Sequence, residues 1–337
     1  MPVTQTQAVL KGERLAITRA LTQIENNTPE GLQLLEALFP YTGKAHLIGV
    51  TGAPGTGKST LVNQLALAYR LPPDPPRVAI IAIDPTSPFS GGALLGDRVR
   101  MQDLAGDPGI FIRSMASRGS LGGLASATAG LVQVFDAAGF ELIIIETVGA
   151  GQAEVDIARL AHTTIVIEAP GLGDEIQTIK AGILEIADIL VVNKADKPGA
   201  DNSLRALRNM LSLSHPDQEE ILHHEEMISS EPVTGNEPYN NWTPALLSTI
   251  ATTGEGIPEL IQALNNHFIY LKSSGEWLIR DETRLKNEME TLLQAALRSL
   301  WASKISPEEY KDSLASVIKR ECSPWRAVEG LIQGAGL

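Results

Sequence analysis

The sequence contains one cysteine, Cys322, in 337 residues. A single thiol excludes an intramolecular disulfide framework and a cysteine-built zinc site. Aromatic residues are scarce at 4%. No run reaches the ~18–20 uncharged apolar residues of a membrane-spanning helix, so a helical membrane protein is excluded and no membrane partner is expected. Bases are also short: 27 Lys and Arg against 40 Asp and Glu leave a formal charge of −13. Such a balance repels phosphate backbones, and nucleic acid is not an expected partner. The opening MPVTQTQAVLKGERL lacks the apolar core of a secretory leader and the Arg/Ser-rich character of a transit peptide, which gives the expectation of a cytoplasmic protein. What is present is ordinary for a soluble globular chain: 43% hydrophobic, 20% charged. The length exceeds a typical single core, pointing to one large domain with additions, or to two.

Residues 1–40 read as helical. Leu15, Ile17, Ala20, Leu21 and Ile24 form one expected apolar face, followed by Leu32, Leu34, Leu35 and Leu38, with Pro40 and Gly43 closing the section. From residue 45 short apolar runs alternate with helical segments. The runs are His46–Val50, Val78–Ile83, Leu142–Ile145, Thr164–Ile167, Ile189–Val192 and Leu246–Ile250. Near-continuous apolar runs mark strands buried on both faces of a parallel sheet, and βα alternation predicts a doubly wound α/β domain. Residues 214–242 break the rhythm with a polar excursion read as a surface insertion. Its adjacent His223 and His224 point apart on a helix and lack an evident third metal ligand. From Gly275 onward the pattern is helical. Trp277, Leu278, Leu285, Met289, Leu292, Leu293, Leu297 and Trp301 recur at helical spacing, which suggests an arm that packs on the domain or pairs with a second subunit. The expected organisation is a helical extension at 1–44, an α/β domain at 45–272 and a helical arm at 273–337.

The strongest motif is Gly52-Ala53-Pro54-Gly55-Thr56-Gly57-Lys58-Ser59, a G-x-x-x-x-G-K-[ST] phosphate loop. It follows the apolar run HLIGV and precedes the helical STLVNQLALAY, the context its mechanism requires. Glycines let backbone N–H groups face phosphate oxygens, and the helix start that includes Thr60 adds a favourable dipole. Lys58 is placed to reach the β- and γ-phosphates and Ser59 to ligate Mg²⁺.

Asn193-Lys194-Ala195-Asp196 follows the run Ile189–Val192 and matches N-K-x-D, a guanine reader. A carboxylate at Asp196 accepts from guanine N1–H and the exocyclic amine, a donor pair that adenine lacks at that edge. The Lys194 stem is expected along the base plane. Position at a strand end downstream of a phosphate loop supports GTP over ATP. In Thr249-Ile250-Ala251, the Ala251 N–H is expected at guanine O6, although Ile250 stands where GTPases often carry serine.

LIIIE ends at Glu146, the Walker-B position, expected to hold Mg²⁺ through water or to polarise the attacking water. Gly149 follows, its amide placed to sense the γ-phosphate. Asp84 ends VAIIAID at the same edge. Asp97 comes after a Gly-, Pro- and Ser-rich stretch of the kind that rearranges with nucleotide.

With these residues in place the chain closely resembles the MeaB/MMAA-type P-loop GTPases, also called the ArgK or YgfD family. The resemblance runs from about residue 12 to past 300. It is carried by GERLAITRALTQIE, GAPGTGKSTL, DPTSPFSGGALLGDRVRM, RSMASRGSLGGLA, ETVGAGQAEVDIA, APGLGDEIQTIKAGILEIADI and NKAD. It implies a P-loop NTPase of the SIMIBI class, a mostly parallel sheet flanked by helices with helical extensions at both ends. It implies GTP/GDP and Mg²⁺ as ligands, with Asp84, Asp97 and Glu146 as Mg²⁺ and switch acids. Gly171–Lys180 matches a third switch in which Gln177 and Lys180 are catalytic candidates beside Lys58, Glu146 and Asp97. It also implies a homodimer whose partner is an adenosylcobalamin-dependent acyl-CoA mutase, the adenosylcobalamin belonging to that mutase. A metallochaperone GTPase and a small-molecule or protein kinase are the rival functions. The departures from the family pattern are Ile250 and the length of the 214–242 stretch.

Overall fold

The computed structural model describes residues 2–84, 101–104, 106–116, 123–147, 153–171, 186–214 and 242–334. Among them, seven strands form one parallel sheet: β1 (His46–Gly52), β2 (Val78–Asp84), β3 (Ile110–Ala116), β4 (Leu142–Thr147), β5 (Thr163–Glu168), β6 (Ile189–Asn193) and β7 (Ala245–Thr249). Their order is β3-β2-β4-β1-β5-β6-β7. The central β1 pairs with β4 (Val50 opposite Glu146) and β5 (Gly52 opposite Ile167). Parallel strands need crossovers, and among the described residues helices supply four of them. They are α4 (Lys58–Tyr69), α5 (Gly123–Ala137), α6 (Ala153–Leu160) and α7 (Ala200–Ser214), after α1 (Pro2–Leu10), α2 (Arg14–Glu25) and α3 (Pro29–Leu38), and before α8 (Ile257–Ser274).

Strand alternation sorts side chains into two cores. Leu47, Ile81, Ile83, Ile143 and Ile145 pack with Phe135 of α5 and with Ile17, Leu21, Leu34 and Leu38 of the N-terminal helices. On the other face Ile48, Val50, Ile80, Ile144, Ile165 and Val191 pack with Leu61 and Leu65 of α4 and Leu260 and Leu264 of α8. The predicted N-terminal stripe needs correcting. Ile17, Ala20, Leu21 and Ile24 are buried, but Leu15 and Leu32 are 63% and 52% exposed. The i, i+3, i+4, i+7 spacing puts the four on one stripe, and Leu15, two residues before Ile17, points away from it. Thr28 caps α3 by accepting from the Gly31 N–H, with Pro29 in its first turn.

Strand β3 was not expected from the sequence. Arg113 and Ser114 interrupt its apolar character, and at the sheet edge only part of the strand is buried. Arg113 is instead ion-paired with Glu25 of α2.

The chain divides into two compact units, Met1–Arg284 and Leu285–Leu337. Gly275, at φ +82°, separates α8 from the long α9 (Glu276–Lys304). Trp277 at the start of α9 is buried, whereas Leu278 is exposed. In the second unit α10 (Pro307–Ile318) packs on α11 (Pro324–Gly334). Ser306 and Glu309 form a reciprocal capping box at the start of α10. Met289, Leu292, Leu293 and Leu297 on α9 are exposed, as are Ile318 and Trp325. Among the described residues no helix is long and apolar enough to cross a membrane.

Candidate nucleotide site

The C-terminal edge of β1 turns into the glycine-rich loop. Gly52, Gly55 and Gly57 have φ of +141°, +83° and +93°. A Cβ on Gly52 would lie 2.1 Å from the Ile167 carbonyl oxygen, and one on Gly57 would lie 2.5 Å from Asn193 Nδ2. Only glycine fits either position. Thr56 closes a local turn, its Oγ1 donating to the Ala53 carbonyl at 2.9 Å. Ala53, Gly57 and Ser59 are half-buried, while Pro54, Gly55 and Thr60 face solvent.

Lys58 is buried, and its ammonium donates to the carbonyls of Gly52 (2.8 Å) and Ala53 (3.0 Å). The cation thus lies across the concave side of its own loop. One residue on, Ser59 Oγ donates to Glu146 Oε1 at 2.6 Å. Glu146 is buried near the end of β4, beside Val50 of β1 and Ala82 of β2. The hydroxyl and the carboxylate are hard oxygen donors meeting at the first turn of α4, a pair that suits Mg²⁺. Among the described residues no group of three His, Cys, Asp or Glu gathers as a metal site. Ser59 and Glu146 are the described residues that would hold a magnesium ion here.

The NKAD segment closes the other side of the loop. Asn193 is buried; its Nδ2 donates to the Thr56 carbonyl at 2.8 Å. Its Oδ1 accepts from Thr249 Oγ1 and from the Ala251 N–H, both at 3.1 Å. Lys194 sits at φ +58° and its Nζ donates to the Gly55 carbonyl at 2.6 Å. Strain of this kind in a non-glycine residue concentrates at functional sites. Asp196 is 44% exposed by side chain and lies 3.4 Å from Lys197 Nζ. Ala251 is buried, in a loop closed by the Ile250–Glu255 bridge.

Thus Gly52 through Ser59, Glu146, Asn193, Lys194 and Ala251 are brought together through these contacts. Asp84 is the last residue of β2. Asp97, Gly149, Gln177, Lys180 and the 215–241 part of the polar excursion lie outside the described residues. Thr249, named from the sequence only as the start of the loop that carries Ala251, is a partner of Asn193 that sequence reasoning did not foresee. Its signal was only that it ends the strand after the base reader.

A second polar concentration, also missed, lies at the opposite ends of the same strands. His46 Nε2 meets Thr163 Oγ1 at 2.7 Å, and Thr163 Oγ1 meets His267 Nδ1 at 2.8 Å. His162 accepts the Leu47 N–H through Nδ1 and stacks on Trp277 at 3.8 Å. Burial, helped by neighbouring His162 and His267, pushes the His46 imidazole down to about 3. Burial also lowers His162, although Asp281 opposes it. Burial raises the Asp188 carboxyl, but hydrogen bonds from His267 and Arg280 outweigh it and hold its pKa below the usual range.

A parallel sheet with a glycine-wrapped loop between strand and helix, a strand-end carboxylate and an adjoining N-K-x-D segment defines a P-loop nucleoside triphosphatase. The chain belongs to the methylmalonyl-CoA mutase-associated GTPase MeaB family, whose sequence model matches residues 17–306. It is 41% identical to a protein of Pyrococcus horikoshii named as a GTPase, over 96% of this chain and 95% of that one. It is 28% identical to the mouse protein named methylmalonic aciduria type A homolog, mitochondrial, over 96% of this chain and 77% of that one. Among solved structures it resembles a LAO/AO transport system kinase, at TM-score 0.69 and 27% identity, covering 100% of this chain and 98% of that one. The expected fold class holds, and the chain is a GTPase.

Proposed function

We propose that the chain is a Mg²⁺-dependent GTP hydrolase that chaperones an adenosylcobalamin-dependent acyl-CoA mutase, methylmalonyl-CoA mutase or a relative. It gates cofactor loading and protects or reactivates the mutase. The observation that carries the reading is the tie between the base reader and the phosphate loop, Asn193 to the Thr56 carbonyl, in a chain matching a mutase-associated family.

In this reading the amides of the 52–59 loop and the α4 N-terminus bind the phosphates. Lys58 exchanges its two loop carbonyls for β- and γ-phosphate oxygens, so its charge is pre-positioned before substrate arrives. Ser59 and Glu146 hold Mg²⁺, with Asp84 and Asp97 as further acids. The ion, when bound, neutralises charge on the phosphates. Asp196 must release Lys197 to accept the guanine N–H pair, and the Lys194 stem lies along the base. Ala251 would turn its N–H from Asn193 toward guanine O6. Gly149 senses the γ-phosphate. Gln177 and Lys180 are the catalytic candidates brought to bear when the mutase docks, the Lys180 cation stabilising transition-state charge as an arginine finger does. Water takes the phosphoryl group, releasing GDP and phosphate.

The G domain in this reading is 45–272, with helical additions at 1–44 and 273–337, the latter serving a homodimer in the cytoplasm. The exposed apolar residues of α9 fit such a role. The test is GTP hydrolysis with and without each cobalamin-dependent mutase of the host. Stimulation by one of them is expected, and equal rates with all and none would sink the chaperone role. The kinase name of the solved relative raises phosphoryl transfer to another acceptor. Labelled γ-phosphate is expected as free phosphate only, and label on an acceptor would overturn hydrolysis as the reaction.

A further inference from the structure

The polar concentration at the base of the sheet converges on Asp188. Its Oδ2 accepts from the Thr164 N–H (2.8 Å) and Arg280 Nη1 (2.9 Å), and its Oδ1 from Arg280 Nη2 (2.8 Å). His267 Nε2 stands 3.3 Å from Oδ1. The Asp188 carbonyl accepts from Trp242 Nε1 at 2.8 Å, and its N–H donates to the Thr164 carbonyl at 3.0 Å. Arg280 also donates to the His162 carbonyl at 2.7 Å. The fork of two parallel bonds fixes both the distance and the plane of the carboxylate.

The chain positions of these groups matter. At the other end of the strands, Ile167 of β5 is paired in register with Gly52 of the phosphate loop. From Asp188 the strand β6 runs directly to Asn193, which holds the Thr56 carbonyl. Trp242 stands between the polar excursion and β7 and contacts the same residue.

We propose that Arg280 is a positioning residue for GTP turnover. Its clamp on Asp188 fixes the start of β6, and so sets the placement of Asn193 at the nucleotide edge from the base of the sheet. Reacting groups tolerate little misplacement, and a five-residue strand buried along its length transmits a shift at one end to the other. The proposal rests on the nucleotide-site reading given above.

The test is steady-state GTP hydrolysis by full-length Arg280→Gln, Arg280→Lys and Trp242→Phe, each well below its melting temperature. Arg280→Gln should lower kcat roughly two- to thirtyfold, the range of couplings carried through packed elements, with KM and GDP affinity unchanged. Arg280→Lys keeps the charge without the fork and should lie between. Trp242→Phe keeps the ring beside His267 (4.5 Å) and Tyr270 (5.3 Å) but loses the N–H. It should lower kcat in the same sense, and it guards against a failure of the Arg280 variants to fold. Wild-type kcat in Trp242→Phe and in any folded Arg280 variant would overturn the proposal, as would a loss carried by KM. A wild-type chain without GTP turnover would instead sink the site reading.

Discussion

Acid should loosen this protein from the base of the sheet, and His46 provides the cleanest measure. The imidazole is buried, hydrogen-bonded to Thr163, and faced by His162 at the head of β5, His267 and Lys272 of α8, and Asp188. Its pKa falls from 6.5 to about 3 on folding. Between these values the unfolded chain binds a proton that the folded chain refuses, so stability drops as pH falls below 6.5 and is flat above it. Each unit is worth about 1.36 kcal/mol. At pH 5, one and a half units below the unfolded value, His46 alone removes about 2 kcal/mol relative to pH 7.5. His162 acts in the same direction. A His46→Asn variant has no such proton to exclude. Urea unfolding of both proteins at pH 7.5, 6 and 5, followed by circular dichroism, reads the difference. The gap between wild type and variant should shift by about 2 kcal/mol in favour of the variant across this range. The comparison cancels the carboxylates common to both. Parallel pH profiles would show that His46 is protonated as readily in the fold as outside it, and the argument from burial would be wrong.

The nucleotide edge yields further expectations. Gly52→Ala places a Cβ 2.1 Å from the Ile167 carbonyl; it should cost about 1–3 kcal/mol and abolish nucleotide binding, and wild-type melting with wild-type GDP affinity would refute the fit. Asn193→Ala removes the shared partner of Thr56, Thr249 and Ala251. It should destabilise by about 1–3 kcal/mol while weakening guanine nucleotides, and a variant that melts like wild type would count against the brace. Asp196→Asn should weaken GTP about a hundredfold or more, since two charge-assisted hydrogen bonds are lost, and should admit xanthosine triphosphate. An unchanged base preference in competition binding would remove Asp196 from the site. Lys58→Ala should eliminate GTP turnover, and residual wild-type rates would place the chemistry elsewhere.

What could be read from the sequence follows from how far apart the interacting residues lie along it. Strands β1, β2, β4, β5 and β6 are buried on both faces, so each appears as an apolar run. Strand β3 lies at the edge, uses Arg113 to reach Glu25, and carries no such run. The phosphate loop was legible because its glycines, lysine and serine are contiguous, and Ser59 was legible beside Glu146 because each belongs to a known local pattern. The bond from Asn193 to the Thr56 carbonyl spans 137 positions, and nothing local in either segment announces it. The base cluster is dispersed further: His46, His162, Asp188, His267 and Arg280 are single polar residues beside apolar runs or on helices, each readable alone as a cap or a solvated charge. Only the parallel register makes them neighbours. Parallel strands begin together and end together, so polar residues just before several strands must gather at one edge, as the phosphate-binding residues gather at the other. In a sheet of this kind, a buried polar residue at the start of a strand is therefore evidence about its neighbours' starts. His46, Thr163 and Asp188 meet because β1, β5 and β6 share that edge.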